Sequence, residues 1–412
     1  MQCKPILVTL LVGTSALAGS SRAQVSSPPP GSTVSPIGVP VGRPGIARPT
    51  PCLPFGAAVD GVPLAADPDY RRVLRDWSAI SSFTVETWHK FSFVRFGPGI
   101  GDYDFSVADQ TIQDMVSLGY GAQGMAFHTL FWHNRFQLDP WVDQLGFQGA
   151  RRVIGEHIDA VHQHYYVGPQ AFPINRVDVI NEALSDSRKM RGPGPQPGDN
   201  PWAQAGTAAL GYVDWAEHAV SRAQATFPAG TKLFYNDYGI GLGAIEVNPA
   251  SAFDPAGTTH ISKADAAFKL VRDHLAPAGL DGVGIQTHLI VPYVTNVAAL
   301  RNTIRRYGEI GIEVHITELD VAIDTGGAAP TPAQLQLQAD LYEDVLRICA
   351  EEPNCTQITV WGVTDAHTWI PAFAPHCPGC RAPLPHDELG VPKPAQLVID
   401  SIFNSIRAAC PR

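Results

Sequence analysis

The feature that most constrains this chain is a regular alternation, from residue 52 to the end, of short β-rich runs with longer stretches of helical spacing. The β-rich runs fall at 55–59, 83–86, 121–128, 176–182, 232–237, 282–288, 313–320 and 357–363. Helical spacing fills 70–80, 108–118, 150–165, 212–227, 264–275, 297–307 and 334–349, and a last helix at 394–408 closes the chain. Strand–helix repetition implies a parallel sheet, and eight repeats predict an α/β fold, a single-domain (β/α)8 TIM barrel. An open doubly wound sheet would require a glycine-rich phosphate loop after the first strand. Phe55-Gly56-Ala57-Ala58-Val59 is followed by none. Such barrels typically need roughly 250 residues. The excess is placed in long βα loops, at 188–200, 241–259 and 371–385.

Within the predicted strands the polar residues fall late. The runs are apolar and then end on Glu86, on His128, on Asn181-Glu182, on Asn236-Asp237, on Gln286 and His288, on Glu318 and Asp320, and on Trp361. In a parallel barrel all these ends meet at one face, where barrel active sites are built. A glutamate after a strand can cap the next helix, and an asparagine can shape a turn. So many hydrogen-bonding groups on one rim point instead to a site.

The region ahead of the barrel reads differently. Lys4 followed by an apolar run at 6–18 and small residues around Ser21-Arg22-Ala23 has the order of an export signal, so residues 1–23 are expected to be removed. A buried N-terminal helix is the competing reading. Residues 24–51, with Pro28-Pro29-Pro30 at their centre, are too poor in apolar residues to pack and read as an extended Pro/Ser/Gly-rich tether. The barrel then occupies 52–412. No later segment is long and apolar enough to span a bilayer, so a secreted or periplasmic monomer is expected. Formal charge is -10 over the 412 residues, and loss of Lys4 and Arg22 makes it more negative. That balance argues against nucleic acid and anionic membrane as partners and suits a neutral substrate.

Export also fits the cysteines. Cys3 lies in the leader, leaving six of the seven. An even number in an oxidising compartment predicts disulfides. The preferred pairs are Cys349–Cys355, Cys377–Cys380 and Cys52–Cys410. The first two are close in sequence, and the third would clasp the ends of the barrel. Cys377-Pro-Gly-Cys380 also has the form of half a zinc site, but no second such pair is present to complete it. No metal or cofactor is implied.

Two rim residues carry a chemistry together. Glu182 ends Val177-Asp178-Val179-Ile180-Asn181-Glu182 on the fourth predicted strand, and Glu318 ends Val314-His315-Ile316-Thr317-Glu318 on the seventh. Cleaving a glycosidic bond takes a proton for the leaving oxygen and a negative group beneath the forming oxocarbenium ion, and two carboxyls supply both. On a strand, residues two apart share a face. Gln286 with His288, and Glu318 with Asp320, should therefore project together. His288 would keep Glu318 ionised and Asp320 would orient the histidine. Glu182 has no cationic partner nearby in sequence and is expected to hold its proton more tightly. Trp132, Trp361 and Trp369 follow the third and eighth strands and could present ring faces to sugars, or pack into the core.

Six blocks, in this order, resemble glycoside hydrolase family 10. They are His128-Thr129-Leu130-Phe131-Trp132-His133, Val177-Asp178-Val179-Ile180-Asn181-Glu182-Ala183-Leu184, Leu233-Phe234-Tyr235-Asn236-Asp237-Tyr238, Gly282-Val283-Gly284-Ile285-Gln286-Thr287-His288-Leu289, Ile316-Thr317-Glu318-Leu319-Asp320 and Val360-Trp361-Gly362-Val363-Thr364-Asp365. The resemblance implies a retaining endo-β-1,4-xylanase acting on xylan, with Glu182 as acid/base and Glu318 as nucleophile. It places Glu86, Lys90, His128, Trp132, Asn181, Gln286, His288, Trp361 and Trp369 around the sugar, with Asp320 behind His288, and it implies the Cys349–Cys355 disulfide. A barrel acting on another β-glycan or a decorated glycoside is the nearby alternative. A non-catalytic glycan-binding barrel is disfavoured because both glutamates are present. Two positions depart from the family pattern. Thr87 stands where an asparagine is usual, and Arg135 where a glutamine is usual.

Overall fold

The computed structural model describes residues 53–121, 124–168, 171–242, 262–294, 296–373 and 377–409. The expected leader, the tether and the Cys52–Cys410 pair lie outside the described residues, as does most of the 241–259 loop.

Ten strands form: β1 (Phe55–Val59), β2 (Ser82–Val85), β3 (Met125–Trp132), β4 (Ile174–Asn181), β5 (Lys232–Asp237), β6 (Gly282–Ile285), β7 (His288–Val291), β8 (Glu313–Asp324), β9 (Cys355–Val360) and β10 (Cys380–Arg381). β1 to β6, β8 and β9 pair in parallel in chain order, and β9 returns to β1. That closes an eight-stranded parallel barrel with helices between successive strands, the (β/α)8 architecture expected. The helices start where capping chemistry permits. Asp67 accepts from the amides of Asp69 and Tyr70 with Pro68 at the first turn, and Thr331 and Gln334 form a reciprocal box ahead of Pro332–Glu351. Each such cap is worth about 1 kcal/mol.

Two strands depart from the sequence expectation in ways that shape the site. The third strand begins at Met125 and not at Gly121, because Gly119 and Gly124 turn the chain with φ of 93° and 69°. His128 therefore sits inside β3, and Trp132 ends it. The sixth run is not continuous. Thr287 has φ 62°, which breaks the strand between β6 and β7. β7 then pairs with the outer half of β8, His288 opposite Asp320, and β10 adds antiparallel at Ile323 and Asp324. β8 is longer than expected because it serves the barrel with one half and this outer sheet with the other.

The lumen also needs glycine at two places. A Cβ at Gly282 would come within 2.2 Å of the Phe234 ring, and one at Gly284 within 2.2 Å of Asn236 Oδ1. Without side chains there, Asn236 can lie across the barrel towards β8.

Candidate active site

Both glutamates stand at the mouth and each is 4% exposed. Their backbones are held by the strand ladder. The Glu182 amide donates to Asn236 O at 2.8 Å, and the Glu318 amide to Gln286 O at 3.1 Å. β4 ends at Asn181, and Glu182 itself turns out of it with φ 56°, a left-handed conformation that costs a non-glycine residue about 1 kcal/mol or more.

A continuous chain of hydrogen bonds joins the two carboxyls. Gln286 Nε2 donates to Glu182 Oε1 at 3.0 Å and to Asn181 Oδ1 at 3.3 Å. Asn236 Nδ2 donates to Asn181 Oδ1 at 2.9 Å and to Glu318 Oε1 at 2.6 Å. Thr317 Oγ1 fixes the Asn236 amide by donating to its Oδ1 at 2.6 Å. Neither Asn236 nor Thr317 was singled out as a site residue in the sequence, although Asn236 was visible as a polar strand end.

Around Glu182 the donors are neutral. The Trp132 indole donates to Oε2 at 2.7 Å, a contact of its N–H that the expectation of a ring face did not include. His133 Nδ1 lies 3.9 Å from the same oxygen. Burial, followed by Arg191, Lys263 and Arg135, holds that imidazole well below its ordinary pKa and so uncharged. Burial also raises the Glu182 pKa, and the buried charge of Asp237 raises it further. Arg191, which the sequence reading passed over, donates from Nε to the Glu182 carbonyl at 3.1 Å and from Nη2 to Tyr238 at 3.2 Å. It fastens the 188–200 loop to the rim.

Glu318 is surrounded by imidazoles. His288 Nε2 is 3.2 Å from Oε2, and His128 Nδ1 is 4.0 Å from Oε1. Burial pushes Glu318 up, but the hydrogen bonds from His288 and Asn236 and the two histidine rings more than offset it, and the net shift is down. His288 Nδ1 lies 3.0 Å from Asp320 Oδ2. Burial alone would lower this imidazole, yet Asp320 and Glu318 carry it to about 10. The broken strand thus brings His288 between Glu318 and Asp320 by pairing β7 with β8, and not by the shared-face alternation expected of one continuous strand.

The remaining residues fall as follows. Trp369 donates to Asp320 Oδ2 at 2.7 Å, and its ring lies 4.9 Å from His288. Trp361 is just past β9, buried, and meets His128 edge-on at 5.1 Å. Lys90 is buried with Nζ 5.2 Å from the Trp132 ring centre. Glu86 sits nearby. Burial carries its carboxyl to about 7 against the pull of Lys90, and both feel the Glu318 charge. Arg135 turns away into loop contacts, with Nη1 2.5 Å from Asp143 Oδ1 and Nη2 donating to Gly194 O. Cys349–Cys355 and Cys377–Cys380 are disulfides, with Cα–Cα distances of 5.1 and 5.3 Å. The second excludes the half zinc site.

The model for Glycosyl hydrolase family 10 matches residues 48–401. Endo-1,4-beta-xylanase B of Paenibacillus barcinonensis is 30% identical over 307 residues, covering 71% of this chain and 80% of the relative. Endo-1,4-beta-xylanase 1 of Humicola insolens is 31% identical over 321 residues, 77% of this chain and 64% of that enzyme. Among solved structures, a glycosylated endo-beta-1,4-xylanase from Gloeophyllum trabeum superimposes with TM-score 0.67 at 27% identity, covering 85% of this chain and 96% of that one. Native xylanase 10B of Thermotoga maritima reaches TM-score 0.69 at 24% identity, over 87% of this chain and 97% of that one, which speaks for the fold alone.

Proposed function

The chain belongs to glycosyl hydrolase family 10, and from that premise we propose that it is a retaining endo-β-1,4-xylanase with Glu318 as nucleophile and Glu182 as acid/base. One observation carries the assignment of roles. Two equally buried carboxyls, joined through Gln286, Asn181 and Asn236, are shifted in opposite directions by what surrounds them, Glu182 up by burial and Asp237, Glu318 down by His288, His128 and Asn236.

In the first step a Glu318 oxygen attacks the anomeric carbon. Glu182 gives its proton to the departing glycosidic oxygen, so the leaving chain departs as an alcohol. A covalent glycosyl ester on Glu318 remains. Glu182, now ionised, takes a proton from water. The water oxygen attacks the same carbon and expels the Glu318 carboxylate, and configuration is retained after two inversions. Retention requires the carboxyls to stand at about 5–5.5 Å. When the ester bond breaks its electron pair returns to Glu318, and His288, held protonated by Asp320, stabilises the carboxylate that re-forms. Asn181, Gln286, and Lys90 with Glu86 bind sugar hydroxyls. Trp361 and Trp369 bound the sugar-binding cleft.

Xylan is the substrate this reading favours, through the xylanase relatives. A second reading keeps the mechanism and changes the sugar beyond the reacting unit. Thr87 in place of the family's asparagine, and an Arg135 occupied by Asp143 and Gly194, remove two polar contacts there. Comparing xylotriose with cellotriose separates the two. Export is part of the proposal. The two disulfides suit an oxidising compartment, and no helix among the described residues is long and apolar enough to cross a membrane. The test is product analysis on xylan with NMR of the anomer first formed. The β-anomer is expected, and an α-anomer overturns the retaining mechanism.

A further inference from the structure

Barrels of this kind usually fill the lumen with bulky branched side chains. Here a buried row of polar groups runs down the lumen beneath Glu318. His128 Nδ1, 4.0 Å from Glu318, is 2.9 Å from Asp178 Oδ2. Arg176, two residues earlier on the same face of β4, places Nε 3.1 Å from Asp178 Oδ1 and donates from Nη2 to Oδ2 at 3.3 Å. Its Nη1 is 3.2 Å from His315 Nδ1, and His315 Nε2 is 3.0 Å from Glu313 Oε1. Lys232 Nζ meets Glu313 at 3.5 Å at the strand starts. Arg176 is 1% exposed and Asp178 is fully buried.

The chemistry of the row assigns its hydrogens. A guanidinium has donors only, so His315 Nδ1 must accept from Arg176, and its Nε2 must carry the hydrogen that Glu313 receives. A carboxylate accepts only, so with Asp178 ionised the hydrogen of His128 lies on Nδ1. Burial would push the Asp178 carboxyl up, but Arg176 and then His128 bring it below its ordinary value. Stability does not account for such a row, because buried ion pairs can often be exchanged for apolar residues at no loss.

We infer that Arg176 is a positioning residue for the hydrolysis proposed above: it keeps Asp178 ionised, so that His128 holds its hydrogen on Nδ1 beside Glu318. Other groups also face this region. Asp178 meets His315 from β8. Glu318 meets His288 from β7 and Asn236 from β5, and feels Lys90 and Glu86 from the loop after β2. None of these replaces the cation next to Asp178.

Arg176→Met is measured on xylan and on an aryl β-xylobioside across pH. Loss of the cation lets Asp178 and Glu318 hold protons more tightly, so the acid limb of kcat/KM moves up by about one pH unit while the alkaline limb stays. Arg176→Lys returns the acid limb most of the way. A folded Arg176→Met with its acid limb unmoved overturns the inference. If that variant does not fold, the wild-type chain decides it by imidazole 15N NMR. His128 should bear hydrogen on Nδ1 at every pH of activity, and a hydrogen-free Nδ1 overturns the inference. The NMR readout is independent of substrate, so wild type that leaves xylan uncut sinks the proposed function and leaves the His128 result standing.

Discussion

Glu182 and Glu318 share one rim, one hydrogen-bond chain and the same exposure, yet their surroundings differ in the sign of charge. Glu182 receives an indole N–H and a carboxamide, both neutral, with an uncharged His133 near it and the negative Asp237 behind, whose effect on the carboxyl exceeds that of the Arg191 cation. Glu318 receives a carboxamide and an imidazole held protonated by a second carboxylate. Burial penalises both ions alike, so it cannot separate the two roles. The separation comes from the charges each carboxyl faces, Asp237 at Glu182 and the imidazoles at Glu318, and it suits the first to give up a proton and the second to stay ionised.

The largest effect should come from removing the anion. Glu318→Ala is expected to lose about 10⁴-fold or more in kcat on every substrate, and azide should restore turnover as an α-glycosyl azide. A rate within tenfold of wild type breaks the comparison outright. Glu182→Ala should lose about 10³-fold on xylan but far less in the first step on aryl xylobiosides with acidic phenols, whose leaving groups need no proton. Equal losses on both substrates would mean that Glu182 is not the proton donor.

Smaller changes sharpen the contrast. In wild type, kcat/KM should rise with pH as Glu318 ionises, below the ordinary carboxylate range, and fall as Glu182 ionises above it. His288→Asn deprives Glu318 of its cation, so the acid limb should climb by about 1–2 pH units with the alkaline limb unchanged. Trp132→Phe removes a donor that favours ionised Glu182, so the alkaline limb should rise by about half a unit. Movement of the acid limb in Trp132→Phe, read from the same pH profiles, would show that the two environments are not separable.

Much of this was legible in the chain. β1 falls where the apolar run puts it, the eight-fold alternation gives the barrel, and polar strand ends gather at one mouth. What escaped has a common physical origin. Glu182 and Thr287 adopt left-handed backbones without being glycine, so no residue type marks where β4 ends or where the sixth run breaks. Glycines at 119 and 124 did carry a signal for the late start of β3. Arg191 and Arg176 were passed over because a lone arginine in a loop or strand gains meaning only from distant neighbours. Arg176 lies 139 residues from His315, its partner in space. Cross-barrel hydrogen bonds such as Asn236 to Glu318 span 82 residues and leave no local periodicity.

The dihedral at position 182 has a consequence for the history of such an enzyme. Among inactive replacements, glycine should leave the protein about 1 kcal/mol more stable than alanine, because only glycine accepts that backbone without strain. Selection for robustness and selection for turnover therefore pull against each other at a single codon. A lineage released from the need to digest would be expected to drift towards glycine there, keeping its barrel while losing its acid.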